Sequence, residues 1–90
     1  MHALEVAVAE RLVKLLDKTI EAGAVSVYIG NETGELAEAG LSLVVAPYHD
    51  DHEAVGTVGV LGPTRMDYGR LMPLVGATAD AISDALKKSR

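Results

Sequence analysis

The run Leu41–Tyr48 is almost continuously apolar, and no other feature constrains the fold of this 90-residue chain as strongly. A strand with one wet face alternates apolar and polar residues, whereas a strand covered on both faces does not. We therefore predict a strand over Leu41–Tyr48 that is covered, at least in part, on both faces. A shorter strand is predicted over Val25–Ile29, and a third over Ala54–Leu61, where Gly56 and Gly59 leave room for another backbone to approach closely.

Two amphipathic segments flank these strands. From Ala3 to Glu21, apolar residues recur at steps of three and four, which predicts a helix, and Gly23 follows where such a helix is expected to stop. A second helix is predicted to run to about Lys87. Its apolar stripe is expected to consist of Leu71, Leu74, Val75, Thr78, Ile82, Ala85 and Leu86.

The start of the second helix carries several local signals. The pair Gly62-Pro63 is expected to break the third strand, and Thr64 and Asp67 stand at capping-box spacing. Pro73 has no N–H to donate, so the helix either kinks there or begins near Pro73 after a short turn. Earlier in the chain, Glu35–Ala39 is compatible with a single helical turn or with a loop.

The order of elements is therefore α-β-β-β-α. This order predicts an α/β fold of the α+β type, and we expect residues 1–90 to form one domain. We expect a three-stranded, largely antiparallel sheet, with a hairpin between the second and third strands and both helices on one face. Such a sheet has unpaired edges, which proteins rarely leave bare. Either further strands of a longer parent chain or another copy of this chain is expected to pair there.

The charge balance argues against nucleic-acid binding by this chain, because such binding draws on a basic patch. The chain carries 13 acidic and 8 basic residues, a formal net charge of -5, and its short basic cluster is Lys87, Lys88 and Arg90. The lack of cysteine excludes disulfide and thiolate chemistry and fits a reducing cytoplasm. No apolar run approaches the roughly 20 residues of a membrane span. Residues 1–22 do not resemble a signal peptide, because charged residues interrupt them throughout.

The polar run His49–Glu53 supplies candidate metal ligands. Side chains of these types bind Zn²⁺ and other divalent ions, and the candidates are His49, Asp50, Asp51 and His52. A hairpin turn is usually charged simply because it is wet, and a loop sets no fixed ligand geometry. We therefore predict neither a bound metal nor another cofactor. The serines stand in no nucleophile-elbow context, so we also predict that the chain is not an enzyme.

The most specific motif follows the third strand. The heptad Gly62-Pro63-Thr64-Arg65-Met66-Asp67-Tyr68 strongly resembles the last conserved block of the HrcA family of heat-inducible transcription repressors. Two weaker matches precede it in the right order. Val27–Glu32 is similar to that family's Val-Tyr-Ile-Gly strand and turn, and Leu41–Val44 with Tyr48 is similar to its next strand.

The resemblance implies that the chain is the C-terminal, GAF-like part of a cytoplasmic repressor whose N-terminal winged-helix domain is absent from this sequence. In that family the missing domain binds an inverted-repeat operator called CIRCE and represses chaperone operons. The resemblance also implies a homodimer and a GroEL-type chaperonin as a partner that helps keep the repressor active. Two other functions stay open: a GAF-like module that senses a small molecule, and an autonomous α/β interaction protein that shares the motif.

The heptad itself has two interpretations. Arg65 and Tyr68 stand at a helix start, where free backbone N–H groups can bind an anion or a partner. Alternatively each residue has a structural role: Pro63 ends the strand, Thr64 caps the helix, Arg65 pairs with a carboxylate and Tyr68 docks on the sheet. The structural interpretation is favoured, with the hypothesis that Arg65 anchors the turn to the rest of a parent protein. The residues expected to matter are Gly62, Pro63, Thr64, Arg65, Asp67 and Tyr68.

Overall fold

The computed structural model describes residues 2–29, 35–51 and 53–88 as one antiparallel sheet with helices on its faces. The helices are α1 (His2–Ala22), α2 (Glu35–Ala39) and α3 (Tyr68–Lys88). The strands are β1 (Ser26–Tyr28), β2 (Leu41–His49) and β3 (Ala54–Pro63), paired in the order β1-β2-β3. The α+β class, the element order and the antiparallel sheet are thus confirmed, and the segment before β2 is a five-residue helix.

Strand β2 is covered on both faces, as its apolar run predicts. Val44 and Val45 point to opposite faces of the sheet, and both are completely buried. Each face has its own core cluster. These clusters are Leu15, Leu43 and Val45 on the α1 face, and Val44, Ala46, Val75 and Ala79 on the α3 face.

The expectation that both helices lie on one face of the sheet is wrong, because α1 packs on one face and α3 on the other. Burying one Val or Leu side chain stabilises a fold by about 1.5–3 kcal/mol. Two helices on the same face would leave either Leu43 and Val45, or Val44 and Ala46, exposed to water. Since each helix has a single apolar stripe, one helix per face buries both rows of β2.

Strand β3 extends two residues further than the sequence predicts. Gly62 and Pro63 do not break the strand; they pair with Ser42 and Leu41. Proline is tolerated in an edge strand because its missing N–H can face solvent, and β3 is the last strand in the order. At the other end the register shifts, so that Val55 is an extra residue, a β-bulge.

Helix α1 ends as predicted. Gly23 has a φ of 73°, in the left-handed region that favours glycine, and its N–H donates to the Thr19 carbonyl at 3.0 Å. This is the αL form of helix termination, which satisfies a carbonyl that would otherwise lack a partner. None of the helices in the described ranges is both long and apolar enough to cross a bilayer.

Helix α3 is a single helix that contains Pro73, so the alternative of a helix that begins near Pro73 is wrong. Its buried stripe also differs from the predicted one. Leu74 is 59% exposed and Thr78 is exposed, whereas Ala79 and Ser83 are buried. The buried residues of α3 are spaced four apart, at Val75, Ala79 and Ser83. They lie on the side of the helix that faces β2, where Val75 and Ala79 pack with Val44 and Ala46.

Candidate functional site

The turn between β3 and α3 locks the helix onto the sheet. Met66 and Tyr68 pack against the core cluster of the α3 face, and the Tyr68 hydroxyl donates to the Thr64 carbonyl. A Cβ added at Gly62 would lie 2.9 Å from the Met66 sulfur, so a larger residue there would require the Met66 side chain to shift. Tyr68 therefore lies on the sheet, as the structural interpretation of the turn expects.

Asp67, not Thr64, occupies the N-cap position of α3. The Asp67 carbonyl accepts hydrogen bonds from the N–H groups of Arg70 and Leu71, at 3.1 and 3.0 Å. The first intrahelical bond ends on the N-cap carbonyl, so the expected cap at Thr64 is wrong by three residues. The Asp67 carboxylate also stands where the helix dipole favours a negative charge.

Arg65 lies on the surface of the turn. Its side chain is exposed, and the expected ion pair with a carboxylate does not occur within the described ranges. Arg65 therefore contributes nothing visible to the packing of the turn, in contrast to Met66 and Tyr68. Within the heptad, Met66 and Tyr68 pack against the core cluster, whereas Arg65 has no carboxylate partner among the described residues.

The connection between β2 and β3 is held by its own hydrogen bonds. The Asp50 carboxylate accepts from the Glu53 N–H at 3.0 Å, and the Asp50 N–H donates to the Glu53 carbonyl at 3.1 Å. Among the metal candidates, His52 lies outside the described residues, and Asp51 is exposed. The described residues, which include His49, hold no cluster of three or more side chains suited to a metal ion.

Two buried hydroxyl groups that the sequence pattern does not single out fasten the helices to the sheet. Thr19 of α1 donates to the Leu15 carbonyl at 2.9 Å, so it must accept at 2.9 Å from the Tyr28 hydroxyl of β1. Ser83 of α3 accepts from the His49 N–H of β2 at 2.8 Å and donates to the Ala79 carbonyl at 3.0 Å. Each bond fixes one helix at one position along the sheet.

The outer edge of β3, residues 54–63, is here called the β3 edge. It is the last strand of the described sheet, and no side chain from Ala54 to Thr64 is ionisable. Val55 and Leu61 are 49% and 45% exposed. Protected edges usually carry a charge, a proline or a bulge; here the bulge at Val55 and Pro63 lie at the two ends, and the middle has none of these.

An apolar groove of about 240 Å³ opens between α1 and the sheet, next to the β3 edge. Its lining residues are Leu12, Leu16, Leu43, Val45, Thr57, Gly59 and Leu61. Pockets that hold small ligands are larger, about 300–1,000 Å³, and contain several convergent polar groups. The groove is therefore suited to an apolar side chain rather than to a sensed metabolite.

The comparisons with known proteins agree on one family. The model described as "HrcA protein C terminal domain" matches residues 1–72. The heat-inducible transcription repressor HrcA of Sorangium cellulosum is 54% identical over 90 residues, 98% of this chain and 25% of that protein. The repressor of the same name from Methylobacillus flagellatus is 44% identical over 78 residues, 87% of this chain and 23% of its own length. No solved structure matches the chain.

The family match covers α1, the whole sheet and the turn into α3, and the chain spans about a quarter of the length of these relatives. By this match the chain belongs to the HrcA family, and the matched region is that family's C-terminal domain.

Proposed function

We propose that this chain is the C-terminal regulatory and self-association part of a heat-inducible transcription repressor and that it is not an enzyme. The observation that supports the proposal is the family match over residues 1–72, together with relatives that are named as transcription repressors. The formal net charge of -5 argues that this part does not itself bind DNA. Operator contact then belongs to a separate N-terminal winged-helix domain, and residues 1–90 are one GAF-like domain.

In this proposal the chain acts as a rigid scaffold in the cytoplasm. The two core clusters and the hydroxyl groups of Thr19 and Ser83, here called the hydroxyl anchors, hold α1 and α3 on opposite faces of β2. A scaffold of this kind holds two DNA-binding domains at the spacing of the operator half-sites. The operator is CIRCE, the regulated genes are chaperone operons, and a GroEL-type chaperonin helps keep the repressor active until heat diverts it.

A chimeric repressor tests the proposal. The quarter of the Sorangium cellulosum relative that aligns with this chain is replaced by the chain itself, and a reporter is placed behind the operator in cells that lack their own repressor. We expect low reporter expression at the growth temperature and release on heating. High expression at the growth temperature, with normal chimera abundance, would contradict the proposal.

Arg65 and Arg70 form a matched pair in the same chimera, because both arginines are exposed and lie close together at the start of α3. If Arg65 anchors the turn to the rest of the repressor, Arg65→Ala weakens repression and Arg70→Ala does not. The hypothesis is abandoned if Arg65→Ala leaves both repression and thermal stability unchanged.

Added chaperonin is expected to raise the fraction of chimera that binds operator DNA.

A further inference from the structure

We propose that the C-terminal half of α3, residues 76–88 and here called the α3 arm, separates from the sheet in a step of its own before the sheet unfolds. The two halves of α3 are attached to the sheet in different ways, and this difference carries the inference. The inference rests on the proposed function for its consequence, which is that the α3 arm is the first part of the scaffold to be released on heating.

The first half of α3 is held by large side chains. Tyr68, Leu71 and Val75 take part in the packing of the core cluster on the α3 face, and so does Met66 of the preceding turn. The Tyr68 hydroxyl also donates to the Thr64 carbonyl. Because these contacts bury apolar surface where α3 begins, we expect this half to open only together with the core.

The α3 arm is held by small side chains. Its buried residues are Ala79 and Ser83, whereas Ile82 and Leu86 are half-buried. Ser83 is one of the hydroxyl anchors and accepts from the His49 N–H at 2.8 Å. Hydrophobic stabilisation grows with the apolar area that is buried, so the attachment of the arm is weaker than that of the first half.

Open space lies between the α3 arm and the end of the sheet. One cleft of about 170 Å³ has Gly76 and Ala79 on the side of the arm and Pro47 on the side of β2. A second cleft, of about 410 Å³, is lined by His49 and by arm residues, which are Asp80, Ser83, Asp84 and Lys87. Atoms that face such a gap lack packing partners on that side, and gaps of this size admit water. The arm therefore loses few contacts when it leaves the sheet.

Two residues weaken the helix near the start of the α3 arm. Pro73 has no N–H, so the Gly69 carbonyl lacks the donor that a helix normally supplies. Gly76 lies three residues later, and glycine inside a helix is destabilising because it loses more conformational freedom on folding than other residues. Together they place a joint between the two halves of α3.

Amide hydrogen exchange of the 90-residue chain, followed by NMR at several urea concentrations below the unfolding midpoint, tests the inference. Local opening exposes little surface and depends weakly on urea, whereas global unfolding depends on it steeply. Without urea, we expect the amides of residues 77–86 to exchange at least about tenfold faster than those of Val44 and Val45, and to respond weakly to urea. The His49 amide is expected to behave like the arm, because it lies in β2 but donates to Ser83.

The same urea dependence for the α3 arm and for Val44 overturns the inference. It is also overturned by exchange that rises gradually toward Lys88 while the His49 amide stays as protected as that of Val44, since this is ordinary fraying of a helix end. Thr19→Val weakens the other face of the sheet. It is therefore expected to speed exchange at Val44 and to leave the arm unchanged.

The chimeric repressor tests the consequence for heat release. Ser83→Ala is expected to lower the temperature at which the reporter is released by several degrees. Thr78→Ala is the matched control, because Thr78 also bonds to the carbonyl four residues earlier in α3 but is exposed. Equal release temperatures for the two variants overturn the role of the arm in the heat response. Exchange is measured on the 90-residue chain alone, so failure of the inference is distinguishable from failure of the chimera to repress.

Discussion

Replacement of Gly59 by alanine is expected to destabilise the chain, whereas the same replacement at Gly56, also in β3, is expected to be much milder. A Cβ at position 59 would lie 2.6 Å from the Val44 carbonyl oxygen and 3.0 Å from the Val45 Cβ, both in the central strand. Neither atom can move without shifting β2. A Cβ at position 56 would meet the Tyr48 hydroxyl and the ring carbon that carries it. Relief there moves one half-buried ring, which packs against the core cluster of the α3 face, and leaves the backbone of β2 in place.

The size of the effect follows from two opposing contributions. At an unstrained site, Gly→Ala stabilises a protein by about 0.4–1 kcal/mol through the unfolded state. Crowding against fixed atoms costs about 1–3 kcal/mol. The difference between these ranges is about 0–2.6 kcal/mol, and Gly59→Ala is expected to lower the free energy of unfolding by about 1–2 kcal/mol, near the middle of it. Gly56→Ala is expected to change it by less than about 1 kcal/mol. For a domain of this size, 1 kcal/mol corresponds to about 4–8 °C in Tm.

Urea denaturation followed by circular dichroism measures both variants. The reasoning is refuted if Gly59→Ala is as stable as Gly56→Ala, or more stable than the parent chain. Either result would mean that β3 does not approach β2 at Gly59 as closely as described.

The hydroxyl anchors, the helix cap and the metal question give four further predictions. Thr19→Val leaves the half-buried Tyr28 hydroxyl without its acceptor and is expected to cost about 1–3 kcal/mol in urea denaturation, more than Tyr28→Phe, which removes both the donor and the need for an acceptor. Ser83→Ala leaves the His49 N–H without its partner, and a similar loss should appear in Tm. Asp67→Ala is expected to cost about 0.5–1 kcal/mol and Thr64→Ala less, with the opposite order indicating that Thr64 is the cap. Calorimetric titration with Zn²⁺ is expected to show no saturable heat, and a saturating isotherm would restore the metal hypothesis for His49 and its neighbours.

The sequence predicts where the strands lie better than it predicts which helix packs on which face of the sheet. The apolar run of β2 indicates correctly that both its faces are covered, since every residue from Ser42 to Pro47 is buried. The same run does not say which element covers which face, because Val44 and Val45 are equally apolar. That choice depends on tertiary packing, in which each helix stripe covers one row.

The hydroxyl anchors illustrate a second limit. Thr19 and Thr78 both bond to the carbonyl four residues earlier in their helix, yet Thr19 is completely buried and Thr78 is exposed. Residue type and local spacing are the same in the two cases, so the difference comes from tertiary packing, which places Tyr28 and the core cluster of the α1 face against Thr19. In the candidate site, the docking of Tyr68 follows from the motif. That no carboxylate among the described residues pairs with Arg65 depends on where those carboxylates lie in space.

Nuclear Overhauser effects from the methyl groups of Val44 and Val45, measured by NMR, test most directly the packing on which the scaffold proposal depends. Val45 belongs to the core cluster that contains Leu15 of α1, and Val44 belongs to the cluster that contains Val75 and Ala79 of α3. We expect contacts from Val45 to α1 and from Val44 to α3. Contacts from both valines to the same helix would contradict the arrangement of one helix on each face of β2.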